Sequence, residues 1–354
     1  MVMNWLDQRI LKLSKLDVYE KSSCQGQLKM NSNENFVIDK QYQLNIIDKA
    51  SKNCDVRAYP ENHSTLINSL SKHHKILSNK IGIGNGSDQI IDLLLAHLTS
   101  KRTKILISDP TFSFFEARCK LYSLRTIKVP FSDTMILNLD QLISKFDDAD
   151  MLYLDSPNNP TGFQFSKTDL DKIINCFDGP VIVDEAYGDF SEYSALDLSK
   201  KYRNLIVIKT FSKAFGFAGL RLGYFIANQD IVNIFMKSIQ YPYPINSIAL
   251  EAGKLLLQNI KRLSNVINLI KNERKKMIIN LRKLNVFEVF NSQANFVLFD
   301  AKDDYLRIYT ALAEQGILIK KLGRIGQYQG CLRVTIGTKD MNSKFLLAIR
   351  DLLR

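Results

Sequence analysis

Four short apolar runs, Lys104 to Ser108, Asp150 to Asp155, Val181 to Asp184 and Leu205 to Thr210, are bounded by turn-forming residues and separated by segments of helical periodicity. Runs this short and rich in β-branched residues read as strands covered on both faces, not as helices. The segments Asp88 to Ser100, Thr111 to Leu121 and Ser166 to Cys176 instead carry apolar residues at three-to-four spacing. Strand and helix in regular alternation dictate a parallel sheet with right-handed crossovers. Reactive groups are then expected just past the carboxyl ends of the strands.

The texture changes after Tyr241-Pro242-Tyr243-Pro244. A long helical stretch, Asn246 to Leu284, precedes strands at Asn295 to Phe299, Leu318 to Lys320 and Cys331 to Ile336, then a closing helix from Ser343. The expected architecture is α/β: a large domain with a mostly parallel sheet flanked by helices, plus a smaller α+β domain. Its divisions are an N-terminal arm (1–40), a large domain (41–245), a bridging helical region (246–284) and a small C-terminal domain (285–354).

Composition excludes several function classes. No stretch approaches the ~18 uninterrupted apolar residues of a membrane span, and Asp7 and Arg9 stand where a signal peptide would be apolar. A cytoplasmic chain is expected. Cys24, Cys54, Cys119, Cys176 and Cys331 are scattered and odd in number, which reads as five reduced thiols without a metal or redox pair. The net charge of +12 raises nucleic acid as a partner, but Lys and Arg are interleaved with acids, and the densest run, Lys271 to Lys276, contains Glu273 and reads as a solvated helix face. The positive balance suits anionic metabolites instead. His63, His73, His74 and His97 show no metal-ligand pairing, and His73-His74 between Lys72 and Lys75 reads as solvated.

Several strand ends hold reactive residues. Pro157-Asn158-Asn159-Pro160-Thr161-Gly162 follows the second run, Asp184-Glu185-Ala186-Tyr187 ends the third, and Thr210-Phe211-Ser212-Lys213-Ala214-Phe215-Gly216 follows the fourth, with Arg221 beyond. Singly, each has a plain structural explanation: Asp184 as a helix cap, Arg221 as a surface ion pair, Tyr187 as packing. Together they supply what an aldehyde cofactor with a pyridine ring and a phosphate requires. Lys213 offers the amine, and Asp184 a carboxylate for the ring nitrogen. Tyr187 and Asn159 can hydrogen-bond a ring oxygen, while Thr210, Ser212 and Arg221 offer donors and charge for the phosphate. Gly84-Asn85-Gly86-Ser87-Asp88 opens a helix whose free amides favour an anion.

In this ordered set the chain resembles the fold-type I aminotransferases of the class I/II superfamily, from about Met30 to Gly337. Met30-Asn31-Ser32-Asn33-Glu34-Asn35, Tyr59-Pro60-Glu61, Gly84 to Asp88, Ser212 to Gly216 and Cys331-Leu332-Arg333-Val334-Thr335-Ile336-Gly337 most resemble the histidinol-phosphate aminotransferases. The resemblance implies pyridoxal 5′-phosphate held as a Schiff base by Lys213, which also shuttles the proton, and a ping-pong exchange between glutamate/2-oxoglutarate and a phosphorylated substrate. It implies that Asp184 pairs with the ring nitrogen, that Asn159 and Tyr187 contact the ring oxygen, and that Phe112 stacks on the ring. Gly86, Ser87, Asp88, Thr210, Ser212 and Arg221 would surround the phosphate. Tyr59 would reach that phosphate from the other subunit of a homodimer, and Arg333, Lys320 and Tyr19 would line the substrate end.

The chain also departs from the family pattern. Phe36 follows Asn35 where proline is usual, and Arg57-Ala58-Tyr59 replaces an adjacent Arg-Tyr pair. Lys320 stands where a second anion-binding arginine is common, and lysine lacks the planar fork, so Lys321 and Arg324 become candidates to compensate. The alternatives in the same class are an aminotransferase for an aromatic or other phosphorylated substrate and a threonine-phosphate decarboxylase. A catalytically silent cofactor-binding regulator is the non-enzyme alternative. It would need an appended DNA-binding module, for which the segment before Met30 is too short.

Overall fold

The computed structural model describes residues 4–15, 28–61 and 63–353. Its thirteen strands are β1 (Leu28–Lys29), β2 (Ile81–Gly84), β3 (Lys104–Asp109), β4 (Arg125–Pro130), β5 (Met151–Asp155), β6 (Val181–Asp184), β7 (Leu205–Thr210), β8 (Gly223–Ile226), β9 (Glu288–Val289), β10 (Phe296–Asp300), β11 (Ile317–Leu318), β12 (Lys320–Ile325) and β13 (Tyr328–Thr335). Seven of them form one sheet in the order β2-β8-β7-β6-β5-β3-β4. Neighbours from β7 to β4 run parallel, whereas β8 is antiparallel to both β7 and β2. A four-stranded antiparallel sheet, β12-β13-β10-β9, and the short parallel pair β1-β11 complete the strands.

The four runs read as buried parallel strands form β3, β5, β6 and β7, and β6 and β7 are covered on both faces along their whole length. Three strands of the seven-stranded sheet, β2, β4 and β8, went unread. Two of them, β2 and β8, are rich in glycine, which sequence patterning takes for turns. In β2 the glycine is a packing requirement, since a Cβ at Gly82 would lie 2.2 Å from the Phe225 ring.

The stretch Asn246 to Leu284 is not one helix. Ser247–Gln258 ends at Asn259, and Ile260–Arg282 begins there. The run Lys271 to Lys276 is also not a solvated face. Glu273 and Arg274 are buried, Arg274 donates to the carbonyls of Phe190 and Ala294, and Lys271 Nζ donates to Ser191 O at 2.7 Å. A charge run looks solvated in sequence because the carbonyls it binds lie twenty to eighty-four residues away. The closing helix starts at Lys339, four residues earlier than read, behind a Thr338 cap. His74 is half-buried, with Nε2 2.8 Å from Tyr224 Oη, and burial lowers its pKa to about 2. Its neighbour His73 stays exposed.

Among the described residues no helix is long and apolar enough to cross a membrane, and no His, Cys, Asp and Glu cluster could hold a metal. Cys54, Cys119, Cys176 and Cys331 are free thiols, while Cys24 lies outside the described residues.

One buried ion group braces the large sheet. Lys209 on β7 is 2% exposed and lies 3.2 Å from Glu185 Oε2 and 2.9 Å from Asp189 Oδ1. The two carboxylates bracket the turn that carries Tyr187. Replacing Lys209 with methionine strands both without a cation, so the stability lost should reach about 3–5 kcal/mol in urea unfolding. Arginine at 209 should recover most of it. A Lys209→Met protein as stable as the parent would show that the pairing contributes nothing.

Candidate active site

The parallel register sets the floor of the site. Asp155 and Asp184 end adjacent strands and are register partners. Asp184 accepts from Tyr153 Oη at 2.9 Å and from the Ala186 amide at 2.9 Å. Asp155 accepts from the Thr111 hydroxyl, the Asn158 side chain and the Asn159 amide. Burial pushes the Asp184 carboxyl up to about 6 and the Asp155 carboxyl up to about 7, against the pull of these hydrogen bonds.

Above this floor opens a cavity of about 500 Å³. Its lining includes Ser87, Asp88, Phe112, Asn159, Asp184, Tyr187, Thr210, Ser212, Lys213, Arg221, Lys320 and Arg333, which the sequence scatters over more than two hundred positions. Lys213 follows the carboxyl end of β7. Its Nζ donates to Ser32 O at 3.0 Å and stands 5.6 Å from the centre of the Tyr187 ring. Tyr187 Oη accepts from Asn33 Nδ2 at 2.8 Å, and burial pushes this phenol up to about 12.

One end of the cavity is a nest of donors. The helix Gly86–Leu98 starts without a side-chain cap at Asn85, so its first amides are available. Gly86 has φ of +82°, and a Cβ there would lie 2.7 Å from Arg221 Nη2. Arg221 pairs with Asp88 at 2.9 Å and reaches Ser212 Oγ at 3.4 Å, while Thr210 Oγ1 bonds Ser212 Oγ at 3.0 Å. Phe112 lies just before the helix Ser113–Tyr122 and forms part of the wall.

The opposite end is built by the small sheet. Arg333 on β13 donates from Nη1 to Asn159 Oδ1 and from Nη2 to Asn31 O at 2.8 Å. Lys320 is its register partner on β12. Arg324 also lines the cavity, but Lys321 lies over the Tyr309 ring at 5.4 Å and is not part of the lining. Strand alternation separates the two.

Two expected site residues among those described, Gly86 and Tyr59, are not part of the cavity lining, although Gly86 packs against Arg221 at its edge. Tyr19 lies outside the described residues. Tyr59 is 73% exposed, stacked on Tyr243 at 4.4 Å, and borders a different pocket. Sequence reading in turn assigned no position in the cavity to Ser32, Asn33, Thr111 or Asp155. The alternating asparagines of Asn31-Ser32-Asn33-Glu34-Asn35 were the available signal, because buried amides in a loop demand partners.

The class I and II aminotransferase family model matches residues 24–349. A histidinol-phosphate aminotransferase of Thermoanaerobacter sp. (strain X514) is 33% identical over 341 residues, covering 95% of each chain. One from Bacteroides fragilis (strain YCH46) is 36% identical over 285 residues, 79% of this chain and 82% of that protein. The crystal structure of the histidinol-phosphate aminotransferase from Clostridium acetobutylicum superposes with a TM-score of 0.84 at 29% identity, covering 91% of this chain and 98% of that one. With the strand-end lysine, aspartate and tyrosine gathered around one cavity and the family match running through nearly the whole length, this chain belongs to the class I and II aminotransferases.

Proposed function

We propose that the chain moves an amino group between histidinol phosphate and 2-oxoglutarate in two half-reactions, using pyridoxal 5′-phosphate. The observation that carries this reading is the pairing of an anion nest at one end of the cavity with a cationic end around Arg333, and with Lys213 and Asp184 between them. The residues fit the cofactor: the Gly86 turn leaves room that a side chain would fill, beside Arg221, Ser212 and Thr210. When bound, pyridoxal phosphate supplies an aldehyde for an amine and a ring that draws off the electron pair at the substrate's α-carbon.

In this reading Ser87, Asp88, Thr210, Ser212 and Arg221 bind the cofactor phosphate, and Phe112 covers one ring face. Asp184, oriented by Tyr153 and the Ala186 amide, keeps its charge against a protonated ring nitrogen. Tyr187 and Asn159 hydrogen-bond the ring oxygen. Lys213 anchors the cofactor and carries the proton from the substrate's α-carbon. Arg333 grips the substrate phosphate in one half-reaction and a carboxylate in the other, since its fork accepts either anion. Lys320 and Arg324 add charge at the same end. Tyr59, turned away from its own chain's cavity, is assigned to the partner's site in a homodimer. The arm, large domain, bridging helices and small domain divide at 40, 245 and 284, in a cytoplasmic enzyme.

Three outcomes test the assignment. Lys213→Ala should be colourless and lose about four orders of magnitude in kcat, and borohydride treatment of the parent should place the cofactor label on Lys213 in a peptide map. A coloured variant with normal turnover sinks the role.

Substrate identity is read from half-reaction spectra with histidinol phosphate, phenylalanine and threonine phosphate. Histidinol phosphate should abolish the visible band fastest. Release of carbon dioxide from threonine phosphate would instead favour the decarboxylase.

A pH effect follows from the floor. Asp155 and Asp184 have folded pKa values near 7 and 6, above the roughly 3.9 of an unfolded aspartate. Between those limits the folded cofactor-free protein holds protons that the unfolded chain releases. The stability linked to these groups is therefore complete below about pH 4 and lost as pH rises through 6 to 7. Thermal melts of the cofactor-free protein should show the loss, and Asp155→Asn should flatten it. An equal slope in both proteins would remove Asp155 as its source.

A further inference from the structure

Five acidic side chains line the cavity: Glu34, Asp88, Glu116, Asp155 and Asp184. Four have assigned partners. Asp88 pairs with Arg221, Glu116 with Lys128, Asp155 accepts three hydrogen bonds, and Asp184 accepts from Tyr153 and the Ala186 amide. Glu34 has no hydrogen bond or ion pair among the described residues.

The segment that carries Glu34 is held at both ends. Thr335 N donates to Met30 O at 2.9 Å, Asn295 Nδ2 to Asn33 O at 3.0 Å, and Asn35 Nδ2 to Ala214 O at 2.8 Å. Asn31, Asn33 and Asn35 are buried, and Ser32, Asn33 and Glu34 line the cavity. The Ser32 carbonyl receives the Lys213 amine, and Asn33 holds the Tyr187 hydroxyl. Glu34 is thus a carboxylate on a fixed strap, two residues from the contact of the reactive amine. At the small-sheet end of the cavity the charged side chains Lys320, Arg324 and Arg333 are cations suited to the substrate's anion. None of these cations can accept a hydrogen bond from a substrate N–H, whereas the Glu34 carboxylate can.

We propose that Glu34 is a specificity-determining residue that accepts a hydrogen bond from a ring N–H of the amino substrate, selecting a nitrogen heterocycle over a hydrocarbon ring of similar size. This rests on the reading of histidinol phosphate as substrate. A fixed, charged acceptor discriminates strongly because a substrate lacking the donor leaves it desolvated and unpaired. Glutamate carries no ring and serves as the internal control.

The test compares histidinol phosphate with phenylalaninol phosphate, which keeps the amine and phosphate but has no ring N–H. The parent should prefer histidinol phosphate. Glu34→Ala should lower kcat/KM for histidinol phosphate by about tenfold to a hundredfold, while phenylalaninol phosphate and glutamate change less than about threefold. Glu34→Gln, which keeps an acceptor oxygen without the charge, should fall between. Calorimetric binding of both phosphate esters to the Lys213→Ala protein, where proton transfer is blocked, should show the same selective loss. Equal losses for all three substrates in Glu34→Ala, or no loss for histidinol phosphate, would overturn the role of Glu34 alone. A parent protein that fails to react with histidinol phosphate would overturn the substrate reading and this inference together.

Discussion

The parallel register of β5, β6 and β7 is the constraint on which the site depends. Strands buried on both faces cannot slip by one residue without turning their side chains to the opposite face, so Asp155, Asp184 and the turn after Thr210 end together. Because Asp155 and Asp184 are buried at that edge, their carboxyls are desolvated and their pKa values rise, and each is held by hydrogen bonds from neighbouring strands and loops. Tyr153 reaches Asp184 from the adjacent strand, and Lys209 ties the following turn to β7 from below.

The second organising element is the strap from Met30 to Asn35, which joins the two sheets. It bonds Thr335 and Asn295 of the small-sheet side and Tyr187, Ala214 and Lys213 of the large-sheet side. Arg333 reaches both the strap, at Asn31, and the turn after β5, at Asn159. Lys213 and Tyr187 at one end of this hydrogen-bond network and Arg333 at the other are therefore joined through the strap. A substitution at either end is coupled to the other.

The sequence made Asp184, Tyr187 and Lys213 legible because they follow continuous apolar strands, where an Asp, Tyr or Lys interrupts a hydrophobic pattern. β6 and β7 have the boundaries read from sequence for the same reason. The antiparallel pair β2 and β8 escaped because Gly82, Gly84 and Gly223 resemble turn residues, although close packing is what excludes a side chain from Gly82 and Gly223. Glu273 and Arg274 escaped because an amphipathic helix does not declare in sequence which charged residues will meet distant carbonyls. Lys321 and Arg324 looked equivalent until strand alternation sent one to the Tyr309 ring and the other to the cavity.

By itself, the sequence determined the α/β class, the positions of four parallel strands along the chain and which side chains at their ends can do chemistry, because burial pattern and turn residues are local properties. Only the tertiary structure decided the distances and partners. It placed Ser32 against Lys213, put Arg333 between Asn31 and Asn159, and left Glu34 as the cavity carboxylate without a partner among the described residues. These contacts join residues separated by more than a hundred positions. Their strength comes from exclusion of water by two sheets packed on one strap, which no segment can achieve alone.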